Sequence, residues 1–73
     1  MSTKTYVGRL TQQTFMDTIW VLVTDDGQYE LRGDLDPKAI DRTIEVEATL
    51  AEGAMGINMV GPILNVRAWR LRR

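Results

Sequence analysis

The 73-residue chain contains no cysteine and no histidine, and each absence removes a class of chemistry. Without cysteine, the chain has no disulfide, no thiol nucleophile and no thiolate ligand for zinc. Without histidine, it lacks the commonest zinc ligand and the usual base of hydrolytic triads. Asp25 and Asp26 form an acidic pair, but their place at a predicted turn leaves them solvated. We therefore predict a non-enzymatic protein with no metal ion and no cofactor.

Long hydrophobic runs are also missing. No apolar stretch approaches the ~20 residues that a membrane-spanning helix needs, and the first four residues are not followed by the apolar segment of a signal peptide. The expectation is a cytoplasmic protein without membrane association. The apolar fraction of 44% and charged fraction of 26% are those of a globular domain, which we predict to span residues 1–73. A domain this small has a narrow stability margin, which favours a homo-oligomer or a protein partner.

Charge is unevenly distributed along the chain. All ten carboxylates lie between Asp17 and Glu52, where only three cationic side chains accompany them, whereas both flanks carry cations and no acid. The simplest interpretation is solvated strand faces with a basic tail. The alternative is a dipolar surface that pairs with a second copy or binds an anion.

A hairpin is the strongest local signal in the sequence. Residues 18–24 and 28–32 are rich in strand-forming side chains, and Asp25, Asp26 and Gly27 separate them. Asp-Gly between two such runs favours a tight turn because glycine, and less readily aspartate, accepts positive φ. Three further runs, residues 5–11, 43–50 and 63–71, also have strand character. Gly8 inside the first of them indicates a sharp bend or a close backbone approach.

One short segment favours helix. Asp36 followed by Pro37 resembles an N-cap with proline at the first helical position, so residues 35–41 are predicted to form one or two turns. Leu35 and Ile40 would then close one end of a barrel. The fold prediction is therefore all-β, a small five-stranded, partly open barrel with a short helix between strands three and four.

This order of elements resembles the oligonucleotide/oligosaccharide-binding (OB) barrel, and the chain resembles small bacterial OB-fold domains of uncharacterised function. The resemblance extends over nearly the whole chain, and three stretches carry it: residues 6–10, 29–35 and 59–64. It implies a fold and binding at one face of the barrel. It implies no substrate.

The first functional hypothesis is an interaction module. Residues 18–24 are apolar on both faces, which predicts spare apolar surface outside the barrel. The glycine-punctuated segment 51–62 carries Met55 and Met59, and methionine is common at adaptable binding surfaces. We predict self-association or binding of a protein partner through these two segments, with pairing of an open strand edge as one route.

The alternative hypothesis is binding of single-stranded nucleic acid. Trp20 and Tyr29 lie on the strands that carry aromatic platforms in OB barrels, and Arg67, Trp69 and Arg70 form a second candidate group on the last strand. Strict alternation places Arg67, Trp69 and Leu71 on the outer face. Packing of Trp69 against the barrel wall is the competing interpretation. The acidic hairpin argues against phosphate binding, because that binding depends on cationic side chains.

Overall fold

The protein forms one small β-barrel in its computed structural model, which describes residues 3–14, 18–55 and 61–72. These residues contain five strands and a single turn of 3-10 helix between the third and fourth. The strands are β1 (Lys4–Thr14), β2 (Thr18–Thr24), β3 (Gly27–Arg32), β4 (Thr43–Met55) and β5 (Pro62–Leu71), and the 3-10 turn is Pro37–Ala39. The all-β prediction with five strands is confirmed.

The sheet closes on itself, which corrects the expectation of a partly open barrel. Strands follow one another around the wall in the order β1-β2-β3-β5-β4, and β4 returns to β1. Closure depends on a short parallel ladder that pairs Glu30 with Ile63 and Leu31 with Leu64, while every other pairing is antiparallel. The first residues of β5 therefore serve two neighbours, β3 on one edge and β4 on the other.

The first strand also pairs with two neighbours, and Gly8 lies near the point where its pairing changes from one neighbour to the other. Residues 4–9 pair with β4, whereas residues 9–14 pair with β2. A methyl group at Gly8 would overlap the backbone carbonyl oxygen of Val23. The bend predicted from this glycine is therefore explained by a close approach between two backbones.

The interior is built from alternating residues of all five strands together with one residue of the 3-10 turn. Strands of period two place every second side chain on one face. The core side chains, each at most 3% exposed, are Leu10, Leu22, Leu31, Ala39, Ile44, Val46, Ala48 and Leu64.

Both predicted local signals are present in the structure. Asp36 caps the 3-10 turn, because its Oδ1 accepts a hydrogen bond from the Lys38 N–H at 2.9 Å. Leu35 packs against the core from the segment before it. In the β2–β3 hairpin, Thr24 pairs with Gly27, so Asp25 and Asp26 are the two loop residues. Gly27 alone takes the left-handed conformation there, with φ 132°.

Two strands are longer than predicted. β1 continues through Thr14, past the predicted end at residue 11, and β4 continues through Met55, past the predicted end at residue 50 and into the glycine-punctuated segment. Met59 lies outside the described residues. Within the described ranges, no helix has the length and apolar character to cross a bilayer.

Candidate functional site

The aromatic residues predicted to bind are turned toward the barrel interior. Trp20, Tyr29 and Trp69 are each partly buried and pack against the core. Trp69 is held further by a hydrogen bond from its Nε1 to the carbonyl oxygen of Asp34, at 3.0 Å. The side chain therefore packs inward, as the competing interpretation has it, and does not lie on the outer face that strict alternation predicts.

A β-bulge explains this reversal. Val66 lies opposite Ala48 and Ala68 lies opposite Glu47, so Arg67 is an extra residue on β5. An inserted residue shifts the alternation of side chains beyond it by one position. Val66 and Trp69 consequently both pack against the core, although strict alternation would place them on opposite faces.

The outer face of β2 does not supply the exposed apolar surface that its sequence suggested. Val21, which points away from the core cluster, is 0% exposed, and Ile19 and Val23 are half-buried. Val21 lies in one row with Glu30 and Ile63, and all three are buried outside the core cluster. The chain itself covers this side of the wall, so the prediction of a docking surface along β2 loses its premise.

The remaining predicted residues do not form one site. Arg67 and Arg70 are exposed on β5, and Met55 ends β4. Arg70 is engaged with Glu45, whose Oε2 accepts a hydrogen bond from its Nε at 2.8 Å, and Arg72 reaches the other carboxylate oxygen of Glu45 at 3.4 Å. The charges of Arg70 and Arg72 are therefore partly neutralised by Glu45 on the chain's own surface.

A different group of residues surrounds a cleft between β1 and the β2–β3 hairpin. The cleft, here called the β1 cleft, has a volume of about 270 Å³ and is lined by residues 5–7, residues 24–26 and Tyr29. It exists because the β1–β2 ladder begins only at Arg9, opposite Val23. The first half of β1 therefore diverges from β2, and the hairpin stands across the gap.

Backbone groups of β1 point into this gap. Leu10 turns its N–H and C=O toward the β4 side, where they bond Arg42 O at 3.0 Å and Asp41 N at 2.7 Å. Because backbone groups of successive strand residues point to opposite edges, those of Thr5 and Val7 face the cleft. Among the residues that the structure describes, no backbone hydrogen bond joins Thr5 or Val7 to the hairpin. The cleft thus contains a short, unpaired strand edge.

Two tyrosines contribute the apolar part of the cleft. The rings of Tyr6 and Tyr29 are tilted by 56° with their centroids 5.3 Å apart, a common aromatic arrangement. Both side chains are partly buried and also contact the core, so their positions are fixed by packing. The ring faces that remain accessible can accept a cation or an aliphatic chain.

The hairpin contributes negative charge on a rigid turn. The Asp26 N–H donates to Thr24 Oγ1 at 3.1 Å, and the same hydroxyl donates to the Gly27 carbonyl oxygen at 3.1 Å. Asp25 and Asp26 are exposed, and neither takes part in a salt bridge with the described residues. The β1 cleft therefore combines strand-edge donors and acceptors, aromatic surface and unneutralised carboxylates.

The chain matches no protein-family model, no curated protein and no solved structure.

A second depression lies on the outer wall of β4 and β5. It has a volume of about 160 Å³ and is lined by Glu45, Glu47, Ala68, Trp69 and Arg70. Two of its three charged side chains, Glu45 and Arg70, are already bonded to each other, and Glu45 also bonds Arg72. Among the described residues, no group of three acidic side chains is placed to hold a metal ion. The β1 cleft is consequently the better candidate for binding.

Sequence reasoning missed most residues of this cleft. The sequence places Asp25 and Asp26 at a turn and gives them no role in binding, and it assigns Tyr6 no binding role either. The feature that unites them is the point at which β1 leaves β2, and that depends on register. The glycine at position 8 was the one available signal, since it marks where the strand bends.

Proposed function

We propose that this protein is a non-catalytic interaction module that binds a protein partner at the β1 cleft. The observation that carries the proposal is the unpaired edge of β1 at Thr5 and Val7, beside an acidic hairpin and two fixed tyrosines. Exposed strand edges pair readily with segments of other proteins. The volume of about 270 Å³ lies at the lower edge of the ~300–1,000 Å³ of most small-molecule pockets, and the strand edge offers the backbone groups with which a peptide segment pairs.

A broad hydrophobic interface has less support. The exposed large apolar side chains among the described residues are Val7, Leu50 and Leu71. They lie on three strands, opposite Glu45, Leu64 and Ile44 respectively, so they do not adjoin in the register. Obligate dimers bury large apolar patches. A short segment of a partner therefore fits this surface better than a flat dimer face does.

The nucleic-acid alternative also has little support from the geometry. Single strands bind through bases stacked on exposed aromatic rings and through cations along the backbone path. Here the two tryptophans pack against the core, and Arg70 is bonded to Glu45. The acidic pair beside the β1 cleft would repel phosphate.

Site-specific photocrosslinking in the native host tests the proposal. A photoreactive amino acid is placed at Thr5, in the β1 cleft, or at Gln13, which is exposed near the other end of the same strand. We expect a discrete protein adduct from position 5 and none from position 13. The captured partner, produced separately, should then bind the unmodified chain in calorimetry.

Three results would contradict this function. They are equal adducts from both positions, an adduct with nucleic acid, and quenching of the tryptophan fluorescence by oligo-dT at low salt. Light scattering over a concentration series identifies an adduct with a second copy of the chain as self-association, which would replace a separate partner in the proposal.

A further inference from the structure

The unpaired edge of β1 has a defined capacity for hydrogen bonding. Thr5 and Val7 each direct one N–H and one C=O into the cleft, at a spacing of two residues. An extended peptide presents backbone groups at the same spacing, so it can add to the sheet as one more short strand. The edge is too short to pair with more than a few residues of a peptide.

The cleft also selects for charge. Among the described residues that line it, the side chains that carry a charge at neutral pH are Asp25 and Asp26, both exposed. Lys4 and Arg9 flank the lining residues on β1, but neither lines the cleft. A strand lying along Thr5 and Val7 would direct alternate side chains toward Tyr6 and Tyr29, whose ring faces attract cations.

We infer that the β1 cleft binds an extended segment bearing lysine or arginine, which pairs with β1 as an added strand. This inference rests on the proposed function and specifies the chemistry of the partner. Backbone pairing with Thr5 and Val7 supplies orientation, and the two carboxylates with the two tyrosine rings supply preference for a basic side chain.

A pair of synthetic peptides tests the charge preference. The first is a capped heptapeptide that alternates lysine with valine, and the second carries glutamate in place of each lysine. In titrations followed by amide NMR, the lysine peptide should shift the amides of Thr5 and Val7 and the glutamate peptide should not. Replacing both acids, D25N with D26N, should weaken the lysine peptide by about three- to tenfold, the size expected for exposed ion pairs.

The matched control is D34N. Asp34 is exposed beyond the far end of β3, so its replacement removes a carboxylate without altering the cleft. Affinity for the lysine peptide should stay at the wild-type value in D34N. Equal weakening by D34N, or equal binding of the glutamate peptide, would overturn the charge preference.

Backbone pairing is tested by N-methylation of the lysine peptide. A strand that adds to one edge uses the N–H groups of alternate residues only. Methylating one alternate set should abolish binding, whereas methylating the other set should leave it unchanged. Tolerance of both sets would overturn the added-strand model.

The inference and the proposed function can fail separately. If crosslinking from position 5 captures a partner but the lysine peptide and its variants do not bind, the inference is wrong and the function stands. If the lysine peptide instead perturbs the wall around Glu45 and Arg70, the site is wrong. If an oligonucleotide shifts Thr5 and Val7, both are wrong.

Discussion

Gly8 shows how one residue sets the path of a whole strand. The backbone of β1 passes so close to the carbonyl oxygen of Val23 that a side chain at position 8 has no space. Beyond this contact, toward the N-terminal end of the strand, β1 pairs with β4 alone. Glycine is required here because a side chain would collide with Val23. The backbone conformation does not require it, because the φ of Gly8 is not in the left-handed region.

Replacing Gly8 by alanine should lower the free energy of unfolding by about 1–3 kcal/mol, because the added methyl forces the two backbones apart. Thr5→Ala on the same strand is the control and should cost less than about 1 kcal/mol, since Thr5 is exposed. Urea denaturation followed by circular dichroism measures both values. If Gly8→Ala lowers the free energy of unfolding by less than Thr5→Ala does, the close contact relaxes without cost.

At the scale of the element, β1 has one edge paired along residues 4–9 and the opposite edge paired along residues 9–14. Each half therefore leaves the amides of one edge without a strand partner, and that edge differs between the two halves. In the first half, the groups of Tyr6 and Gly8 face β4, and those of Thr5 and Val7 face the cleft.

Hydrogen exchange should alternate along this half of the strand. The amides of Tyr6 and Gly8 are expected to exchange at least ~10-fold more slowly than those of Thr5 and Val7, since exchange of a paired amide requires local opening. Amide NMR in deuterated solvent gives the rates residue by residue. Uniform protection from residue 5 to residue 8 would mean that the cleft edge is already paired. The proposed binding site would then be wrong.

Elements with local signals could be predicted from the sequence, whereas the candidate site could not. The hairpin follows from Asp25, Asp26 and Gly27, and the capped turn follows from Asp36 and Pro37, because neighbouring residues fix both. The alternation of β4 is equally local. The burial of Val21 depends on which residues cover the outer wall of the barrel. The apolar pattern of a single strand does not identify those residues.

The direction of Trp69 depends on a bulge that nothing in the sequence of β5 marks. Arg67 occupies the extra position, and neither glycine nor proline accompanies it. The β1 cleft depends on which strand residues fall opposite one another, a property of the complete sheet. Register is set by packing of all the strands together, so it was not available from single segments.

At the scale of the whole molecule, closure makes the two halves of the chain dependent on each other. β3 and β5 are far apart in the sequence, yet their parallel ladder is the contact that completes the barrel. The core side chains come from all five strands. Such a sheet has no subset of strands with a complete interior of its own.

Unfolding should therefore be a single cooperative transition. Trp20 on β2 and Trp69 on β5 both pack against the core, so each reports on one half of the chain. W69F isolates the fluorescence of Trp20, and W20F isolates that of Trp69. Within each variant, fluorescence and circular dichroism should give the same urea midpoint. A fluorescence midpoint that departs from the circular dichroism midpoint in either variant would mean that one half opens first.

The acidic hairpin has a second consequence, for protein that is crowded in the cell. An unpaired β-edge invites polymerisation, and charged residues beside such an edge are a common protection against it. Two copies joining through β1 would bring both Asp25–Asp26 pairs to one junction, where like charges repel. We therefore expect the turn that makes the hairpin to disfavour association of identical chains through β1 in concentrated solution.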